Sequence, residues 1–262
     1  IITLLSSNGT IFATSGALYG DPFLVNELPK SLKQAVIATE DRRFYNHFGL
    51  DPIGIARAAL ANIRAGRIVQ GGSTITQQAA KNLFLTPKRS IKRKAQEVLL
   101  AFWLEMKFSK NEILTIYLNR VYLGAGTYGV GAAARKYFGK SAKKLTIYES
   151  ALLAGLLKAP SHYNPKIDPN ASRRRTHQVL KNMVNAGYLS KSQVATLIKK
   201  RFTRFRPPTV DSRFFTEWIL SQLDNYVSLN NRDLIIKTTL KPALQRAAER
   251  HVAASISKFG KD

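Results

Sequence analysis

Glu40 is a carboxylate that a helical pattern places on an apolar face. Leu32, Val36 and Glu40 follow one another at four-residue intervals, on one side of a helix expected over Ser31–Glu40. A carboxylate on a buried face costs free energy unless it is paired or neutral, and burial raises its pKa from about 4.3 toward the range of a general base. Pairing with a neighbouring arginine, or exposure at the helix end, would explain the same pattern without chemistry.

A second carboxylate, Glu97, lies on a helix that we expect from Pro87 to about Lys107. Arg89, Arg93 and Glu97 recur at every fourth residue, so the arginines form a ladder that leads to the acid. Arginine binds phosphate oxygens through two parallel hydrogen bonds, whereas a surface ion pair alone would contribute only about 0.3–0.5 kcal/mol. Past Glu97 the opposite side is apolar too, with Leu100 and Leu104, so we expect the second half of this helix to be buried all round. One apolar stripe is formed by Ile91, Ala95, Val98, Leu99, Phe102 and Met106.

A polar stripe marks the helix that begins after Gly71-Gly72-Ser73. A glycine pair before a helix N terminus lets backbone amides approach an anion, which the helix dipole favours. A solvated helix face is the ordinary alternative, but such faces are rich in Glu and Lys, whereas Thr and Gln suit hydrogen bonds to a polar ligand. The stripe occupies positions i, i+3, i+4 and i+7 and consists of Thr74, Gln77, Gln78 and Lys81.

Start and stop signals outline a mostly helical chain. Apolar residues recur at helical spacing over residues 29 to about 200, and Asp51-Pro52 and Thr86-Pro87 each combine an N-cap with a first-turn proline. Gly139 and Gly187 are expected to end helices. Capping boxes, with a hydroxyl residue followed three positions later by Gln or Glu, begin at Thr74, Ser109, Thr146 and Ser190.

The two ends of the chain carry β-type patterns. Residues 1–14 predict two short strands around a turn, and residues 234–239 predict a β-branched strand. We expect this strand to pair with the hairpin, because two strands alone are marginally stable. The sequence thus predicts a mainly α chain with a small antiparallel β element and three segments, residues 1–28, 29–205 and 206–262.

The composition favours an anionic partner. Lys and Arg number 41 against 16 Asp and Glu, a net charge of +25, which suits nucleic acid, anionic lipid headgroups or phosphorylated substrates. The hydrophobic fraction of 45% is ample for a core. The absence of cysteine excludes disulfides and thiolate chemistry, and no zinc-ligand spacing occurs. No apolar run reaches 18 residues, so we expect any membrane anchor to lie outside this sequence.

Five segments over residues 31–165 resemble, in order, the motifs of the family 51 peptidoglycan glycosyltransferases. These are the lysozyme-like domains of class A penicillin-binding proteins and the monofunctional transglycosylases. The resemblance implies a lysozyme-like, two-lobed helical domain whose cleft holds two lipid-linked sugars. It is carried by residues within Glu40–Gly49, Gly71–Asn82, Arg93–Glu97, Tyr117–Phe138 and Glu149–Pro160.

The resemblance implies polymerisation of lipid II into β-1,4-linked glycan strands with release of undecaprenyl pyrophosphate. Glu40 would deprotonate the acceptor 4-hydroxyl, and Glu97 would orient donor groups or help to hold a divalent cation. Mg²⁺ or Mn²⁺ at the pyrophosphate is the expected cofactor, with no organic cofactor. The substrate-binding residues would be Asp41, Phe44, His47, Ser73, Thr74, Gln77, Gln78, Lys81, Asn82, Arg89, Arg93 and Asn119.

The resemblance also implies partners and a location. The partners would be lipid II, the nascent glycan strand, an anionic membrane surface and a transpeptidase domain in the same full-length chain. The location would be the extracytoplasmic face of the bacterial inner (cytoplasmic) membrane, with moenomycin as inhibitor. Residues 50–70 occupy the place of the family's membrane-dipping segment, although an amphipathic helix packed on the core would show the same pattern. Residues 236–245 resemble the linker toward the transpeptidase, which this sequence lacks.

Two other functions fit parts of the pattern. The run Arg173–Arg175, followed by a helix, Gly187 and a second helix, could form a DNA-binding helix-turn-helix. Basic residues are spread through the whole chain, however, so we expect no nucleic-acid partner. A glycoside hydrolase could use the same paired carboxylates, but it would need one of them protonated as a general acid. The basic ladder instead suits a pyrophosphate leaving group.

Overall fold

The described part of the chain forms mostly helices, together with a few short strands. The computed structural model describes residues 2–15, 18–20, 22–67, 71–85, 90–199, 213–223 and 234–260. The described α-helices are α1 (Lys30–Glu40), α2 (Pro52–Ala65), α3 (Ile75–Phe84), α4 (Ile91–Lys107), α5 (Lys110–Arg120), α6 (Gly129–Phe138), α7 (Ile147–Leu156), α8 (Pro169–Asn185), α9 (Lys191–Lys199), α10 (Arg213–Gln222) and α11 (Pro242–Phe259). The described strands are β1 (Ile2–Leu5), β2 (Ile11–Ser15), β3 (Leu18–Tyr19), β4 (Thr127–Tyr128) and β5 (Leu234–Lys237).

The chain divides into two compact units, Ile1–Leu18 with Arg204–Asp262, and Tyr19–Thr203. The first unit holds a three-stranded sheet in the order β2-β1-β5. Its small core consists of Leu4, Phe12 and Leu240, with Ile2, Ala13, Phe215, Ile219 and Ile236 packed against it.

The sheet of the first unit confirms that the C-terminal strand pairs with the N-terminal hairpin. β1 pairs antiparallel with β2 but parallel with β5, with Ile2 opposite Leu234. The prediction of an antiparallel element is therefore wrong for β5, and the sheet is mixed. A tight turn forces antiparallel pairing, but more than 200 residues separate β1 from β5, so the connection leaves the direction of β5 free.

The second unit is built on two groups of packed helices. α1, α7 and α8 pack against one another, and α3 packs against both α4 and α5. The capping boxes predicted at Thr74, Ser109, Thr146 and Ser190 all form, because each hydroxyl accepts from the amide three residues on. Gly139 follows α6 with a φ of 67°, a left-handed conformation that glycine adopts without strain. The local signals thus predicted these helix bounds well.

α4 departs from its prediction in two ways. It begins at Ile91 rather than at Pro87, because Ser90 is the N-cap and its hydroxyl accepts from the Arg93 amide. The prediction that its second half is buried all round is also wrong, since Leu99, Trp103 and Met106 are 69%, 41% and 66% exposed. The face that packs on the protein instead carries Glu97, Ala101 and Leu104. Periodicity identified an apolar face but could not decide whether that face meets the core.

Glu105 fixes the segment that follows the catalytic candidate Glu40. Its Oε1 accepts from the Gly49 amide at 3.1 Å, from the Thr76 hydroxyl at 2.6 Å and from Lys110 Nζ at 2.6 Å. The Glu105 side chain is only 3% exposed, so these donors replace its lost water. Residues 44–50, α3, α4 and α5 are therefore held together at one carboxylate.

We predict that Glu105→Ala lowers the free energy of unfolding by about 3–5 kcal/mol, because the Gly49 amide, the Thr76 hydroxyl and the half-buried Lys110 would all lose their acceptor. Urea denaturation of the purified protein measures this change. Glu27→Ala is the matched control, since the Glu27–Lys143 pair is exposed and should contribute far less. Equal losses in the two variants would contradict the role given to Glu105.

Candidate functional site

A cavity of about 940 Å³ lies in the second unit, between its two groups of helices. Its floor includes Glu40, the last residue of α1, and its walls come from α2, α3, α4 and α8. Polar and charged residues dominate the lining. They are Thr39, Glu40, Asp41, Arg42, Asp51, Arg57, Ser73, Thr74, Gln78, Lys81, Glu97, Lys158, Arg175, Gln178 and Asn182.

Glu40 reaches the cavity as predicted from its position on α1. Val36, one turn earlier, is buried in the core, and Glu40 Oε2 accepts from Gln78 Nε2 at 3.1 Å. Burial raises the pKa of Glu40; Arg175 and Lys158 oppose that rise, and Asp41 adds to it. The carboxyl is thus partly exposed to the cavity yet poorly solvated, which is the condition that a general base requires.

The other acidic residues of the lining have cationic or histidine partners. Asp51 Oδ1 lies 3.2 Å from Arg43 Nε. Glu97 lies between two cations, with Arg93 Nε 3.1 Å from Oε1 and Lys94 Nζ 2.9 Å from Oε2. Asp41 lies 3.0 Å from the His47 ring. Glu40 differs from these three acids, because its hydrogen-bond partner within the described residues is the neutral amide of Gln78.

The side chain of Asp41, the residue after α1, contacts the N terminus of α3. Its Oδ2 accepts from the Ile75 amide at 3.0 Å, and the Gln77 amide donates to the Thr74 hydroxyl. These helix-start amides are therefore taken by the protein, and the carboxyl group that meets the start of α3 is that of Asp41 rather than that of a ligand. Gly72 has a packing reason instead, since a Cβ there would lie 3.2 Å from the Ile55 Cα.

Lys81 is the cation that α3 contributes to the cavity. It is half-buried, and burial lowers its pKa, while the nearby Glu97 opposes that change. Lys94 stands on the same side and donates to the Ser73 hydroxyl at 2.9 Å. This wall of the cavity therefore concentrates positive charge beside Glu97, which favours a phosphorylated group.

The opposite wall carries cations that the sequence analysis did not assign to the site. Arg175 Nε donates to the Gly155 carbonyl at 3.4 Å, and its guanidinium lies over the Tyr163 ring at 5.7 Å. Lys158 follows α7 on the same side. A signal is present in the sequence, because Arg175, Gln178 and Asn182 follow at positions i, i+3 and i+7, although the run Arg173–Arg175 was weighed only within the rejected DNA-binding alternative.

The structure brings seven of the predicted site residues to the cavity and places the others elsewhere. The cavity residues are Glu40, Asp41, Ser73, Thr74, Gln78, Lys81 and Glu97. Phe44, His47 and Gln77 pack behind them, Arg93 pairs with Glu97, and Asn82 is exposed. The Asn119 side chain accepts a hydrogen bond from the Phe23 amide and donates one to the Phe23 carbonyl. Arg89 lies outside the described residues. The substrate-binding roles of these residues stay predictions.

The described residues do not form a metal site by themselves. Over that part of the chain, no group of three or more His, Asp or Glu side chains could hold a metal ion. Glu97, the acid expected to help hold a cation, already has a basic side chain at each oxygen.

Comparison with known proteins identifies the family. The sequence model of the Transglycosylase family matches residues 8–184. The chain is 40% identical to penicillin-binding protein 1A of Aquifex aeolicus, in a match that covers 97% of this chain and 36% of that protein. It is 47% identical to penicillin-binding protein 1A of Vibrio cholerae, in a match that covers 72% of this chain and 23% of that protein. It spans about a quarter to a third of the length of these relatives.

A solved structure has a similar fold. The crystal structure of penicillin-binding protein 1A from Haemophilus influenzae superimposes on this chain with a TM-score of 0.54 at 24% sequence identity. The match covers 95% of this chain and 28% of that chain. The predicted mainly helical, lysozyme-like fold is thereby confirmed, apart from the direction of β5. Because the family model covers more than half of the chain, the chain belongs to the transglycosylase family, as a peptidoglycan glycosyltransferase domain of the kind found in class A penicillin-binding proteins.

Proposed function

We propose that this domain polymerises lipid II, with Glu40 as the general base that takes the proton of the acceptor 4-hydroxyl. The observation that carries the proposal is the contrast among the acids of the cavity. Asp41, Asp51 and Glu97 have basic side chains beside them, whereas the Glu40 carboxyl meets a neutral amide and has a raised pKa. A desolvated carboxylate with a raised pKa is a stronger base than an ordinary glutamate side chain.

The reaction forms one bond and breaks another at the same carbon. As Glu40 takes the proton, the acceptor oxygen attacks the anomeric carbon of the growing chain. The bond from that carbon to the undecaprenyl pyrophosphate breaks with inversion, and its electron pair leaves with the pyrophosphate. The product linkage is β-1,4. The positive charge of Lys81, which lines the cavity, is placed to stabilise the charge that develops on the leaving group.

The same contrast argues against hydrolysis by paired carboxylates. A glycosidase needs a second carboxyl that donates a proton to the leaving oxygen. Asp51 and Glu97 instead lie in ion pairs with arginine and lysine side chains, so their oxygens are already engaged within the protein. A pyrophosphate leaving group needs positive charge rather than a proton, and the cavity supplies positive charge.

A divalent cation at the pyrophosphate does not fit the described residues. Mg²⁺ commonly uses one or two carboxylates together with phosphate oxygens. Glu97 is the acid on that wall, but Arg93 and Lys94 already compensate its charge. We therefore assign the stabilisation of the leaving group to lysine and arginine side chains.

Exposed apolar side chains support contact with a membrane. On α2, Gly54 and Ala58 are the buried residues, while Ile53, Leu60 and Ile63 face outward. α3 and α4 add further exposed apolar side chains, which are Phe84, Ile91, Leu99, Trp103 and Met106. No helix in the described ranges is long and apolar enough to cross a bilayer. We propose that these faces rest in the interfacial region of an anionic membrane.

The names of the relatives support a proposal for the cellular location and partners of the domain. Their printed names are those of penicillin-binding proteins, and each is far longer than this chain. We propose that the domain acts at the extracytoplasmic face of the bacterial inner membrane, joined to a transpeptidase domain, on lipid II and the nascent glycan strand.

We predict that Glu40→Gln lowers the rate of lipid II polymerisation by about 10²–10⁴-fold, the usual contribution of general base catalysis. Gel analysis of glycan strands from labelled lipid II measures the rate. Binding of moenomycin should persist, since the amide preserves the shape of the cavity. Glu217→Gln, on the exposed side of α10, is the control and should polymerise normally. Full activity in Glu40→Gln would refute the assignment of the base.

The same variant should fold at least as stably as the wild type. Because burial raises the pKa of Glu40, the folded state binds the proton more tightly than the unfolded chain does. Stability is therefore lost as the pH rises through the folded pKa, and a neutral amide avoids that loss. A melting temperature at neutral pH that is not lowered would show that lost activity reflects chemistry rather than unfolding.

We predict that Lys81→Ala weakens lipid II binding and also lowers the polymerisation rate by about 10²-fold, because a preorganised charge at the leaving group is removed. Equilibrium binding to a lipid II analogue and initial rates measure the two effects. Lys143→Ala, which removes a cation outside the cavity, is the matched control. Unchanged affinity in Lys81→Ala would remove this residue from the pyrophosphate site.

We predict that the double variant Leu60→Asn, Ile63→Asn binds phosphatidylglycerol vesicles about tenfold more weakly, because two apolar side chains would no longer enter the lipid. Vesicle co-sedimentation at 0.15 M salt measures binding. Ile167→Asn is the control, since Ile167 is 73% exposed, like Ile63 at 77%, but lies outside α2. Equal binding by all the proteins would exclude α2 from the membrane contact.

A further inference from the structure

We infer that Tyr117 is a positioning residue, which holds the Gln78 amide in the orientation that donates a hydrogen bond to Glu40. This inference deepens the proposed function, because it assigns control of the base to a residue outside the cavity. Tyr117 itself does not line the cavity and would touch neither substrate. It acts through one intermediate side chain.

Three helices contribute one residue each to a continuous chain of hydrogen bonds. The Tyr117 hydroxyl on α5 donates to Gln78 Oε1 at 3.0 Å. Gln78 on α3 then donates from Nε2 to Glu40 Oε2 at 3.1 Å. α3 packs directly on α5, so the first contact is part of the helix packing itself.

The Tyr117 hydroxyl acts as a donor. Tyr117 is fully buried, and that burial raises its pKa well above the usual value, with the charge of Glu40 adding to the rise. The phenol is therefore neutral at any pH at which the protein would act, and it carries one proton to donate. Among the described residues, Gln78 Oε1 is the acceptor of that proton.

The orientation of an amide decides what it offers to a carboxyl. If Gln78 turned over, its oxygen would face Glu40 and its NH₂ group would face Tyr117. Two acceptors would then meet at Glu40 unless the carboxyl took up a proton, and the buried Tyr117 proton would lose its acceptor. Tyr117 thus favours the orientation that stabilises the carboxylate form of Glu40.

Other charged groups face Glu40 from the elements around it. Arg175 on α8 and Lys158 after α7 favour the carboxylate, and Lys81 on α3 is coupled to it in the same sense. Asp41, the next residue in the chain, opposes them. These groups act at any orientation of Gln78, so removing the Tyr117 hydroxyl isolates the contribution of the amide.

Tyr117→Phe removes the hydroxyl while keeping the ring that fills the core. Gln78 can then turn and accept a hydrogen bond from protonated Glu40, so the pKa of Glu40 should rise by about one unit, or about 1.4 kcal/mol. The acid limb of the pH profile of kcat/KM should move up by the same amount. At the wild-type midpoint the rate should fall about fivefold, whereas two pH units higher it should be nearly unchanged.

Tyr137→Phe is the matched control. Tyr137 is also a buried tyrosine, and its hydroxyl donates to the Leu123 carbonyl at 3.0 Å, away from Glu40. Both variants lose one buried hydrogen bond, so both should lower the melting temperature. The acid limb should move in Tyr117→Phe only. A limb that stays in place in Tyr117→Phe, or moves equally in both variants, would overturn the inference.

A direct titration separates this inference from the proposed function. Protein labelled with ¹³C at the glutamate carboxyl carbons reports each pKa by NMR, and the resonance missing from Glu40→Gln identifies Glu40. Its pKa should be higher in Tyr117→Phe than in the wild type, whether or not lipid II is the substrate. In a Gln78→Met background, Tyr117→Phe should cause no further shift. An unchanged pKa, or a shift that persists without the amide, would contradict the role of Tyr117.

Discussion

The hydrogen bond from the Ile75 amide to Asp41 sets the geometry on which the rest of the site depends. It joins the end of α1 to the start of α3, two segments separated by more than thirty residues. Glu40 is the residue before Asp41, and Gln78 lies one turn into α3, so their contact follows from this junction. His47 against Asp41 and the Glu105 cluster hold the intervening segment in place. Glu40, the proposed base, and its hydrogen-bond donor Gln78 are thereby held in place by main-chain and buried carboxyl contacts.

Charge compensation divides the acids of the cavity into two kinds. Asp51 and Glu97 are held beside cations, which keeps them as fixed parts of the framework. Glu40 has a neutral partner and a desolvated carboxyl, so its protonation can change. A cavity rich in lysine and arginine can therefore still hold one basic carboxylate, because the nearest donor to Glu40 is an amide rather than a cation.

The sequence predicted those features that short-range chemistry determines. The capping boxes at Thr74 and Ser109 are predictable because each needs only residues within one turn. The inward position of Glu40 is predictable because its helix is regular. The outward apolar face of α4, the parallel strand β5 and the place of Arg175 depend on tertiary packing. Periodicity shows that a face exists, but the neighbouring elements decide what that face meets.

The helices on the two sides of the cavity differ in how many of their residues are buried. α7, behind one wall, is buried from Ser150 to Leu156, whereas α2 buries only Gly54 and Ala58. Little apolar surface would be exposed if α2 detached, so local opening there costs far less free energy than separating α7 from α1 and α8. α2 also contributes Arg57 to the lining. The cavity can therefore widen on the α2 side while the floor that carries Glu40 keeps its shape.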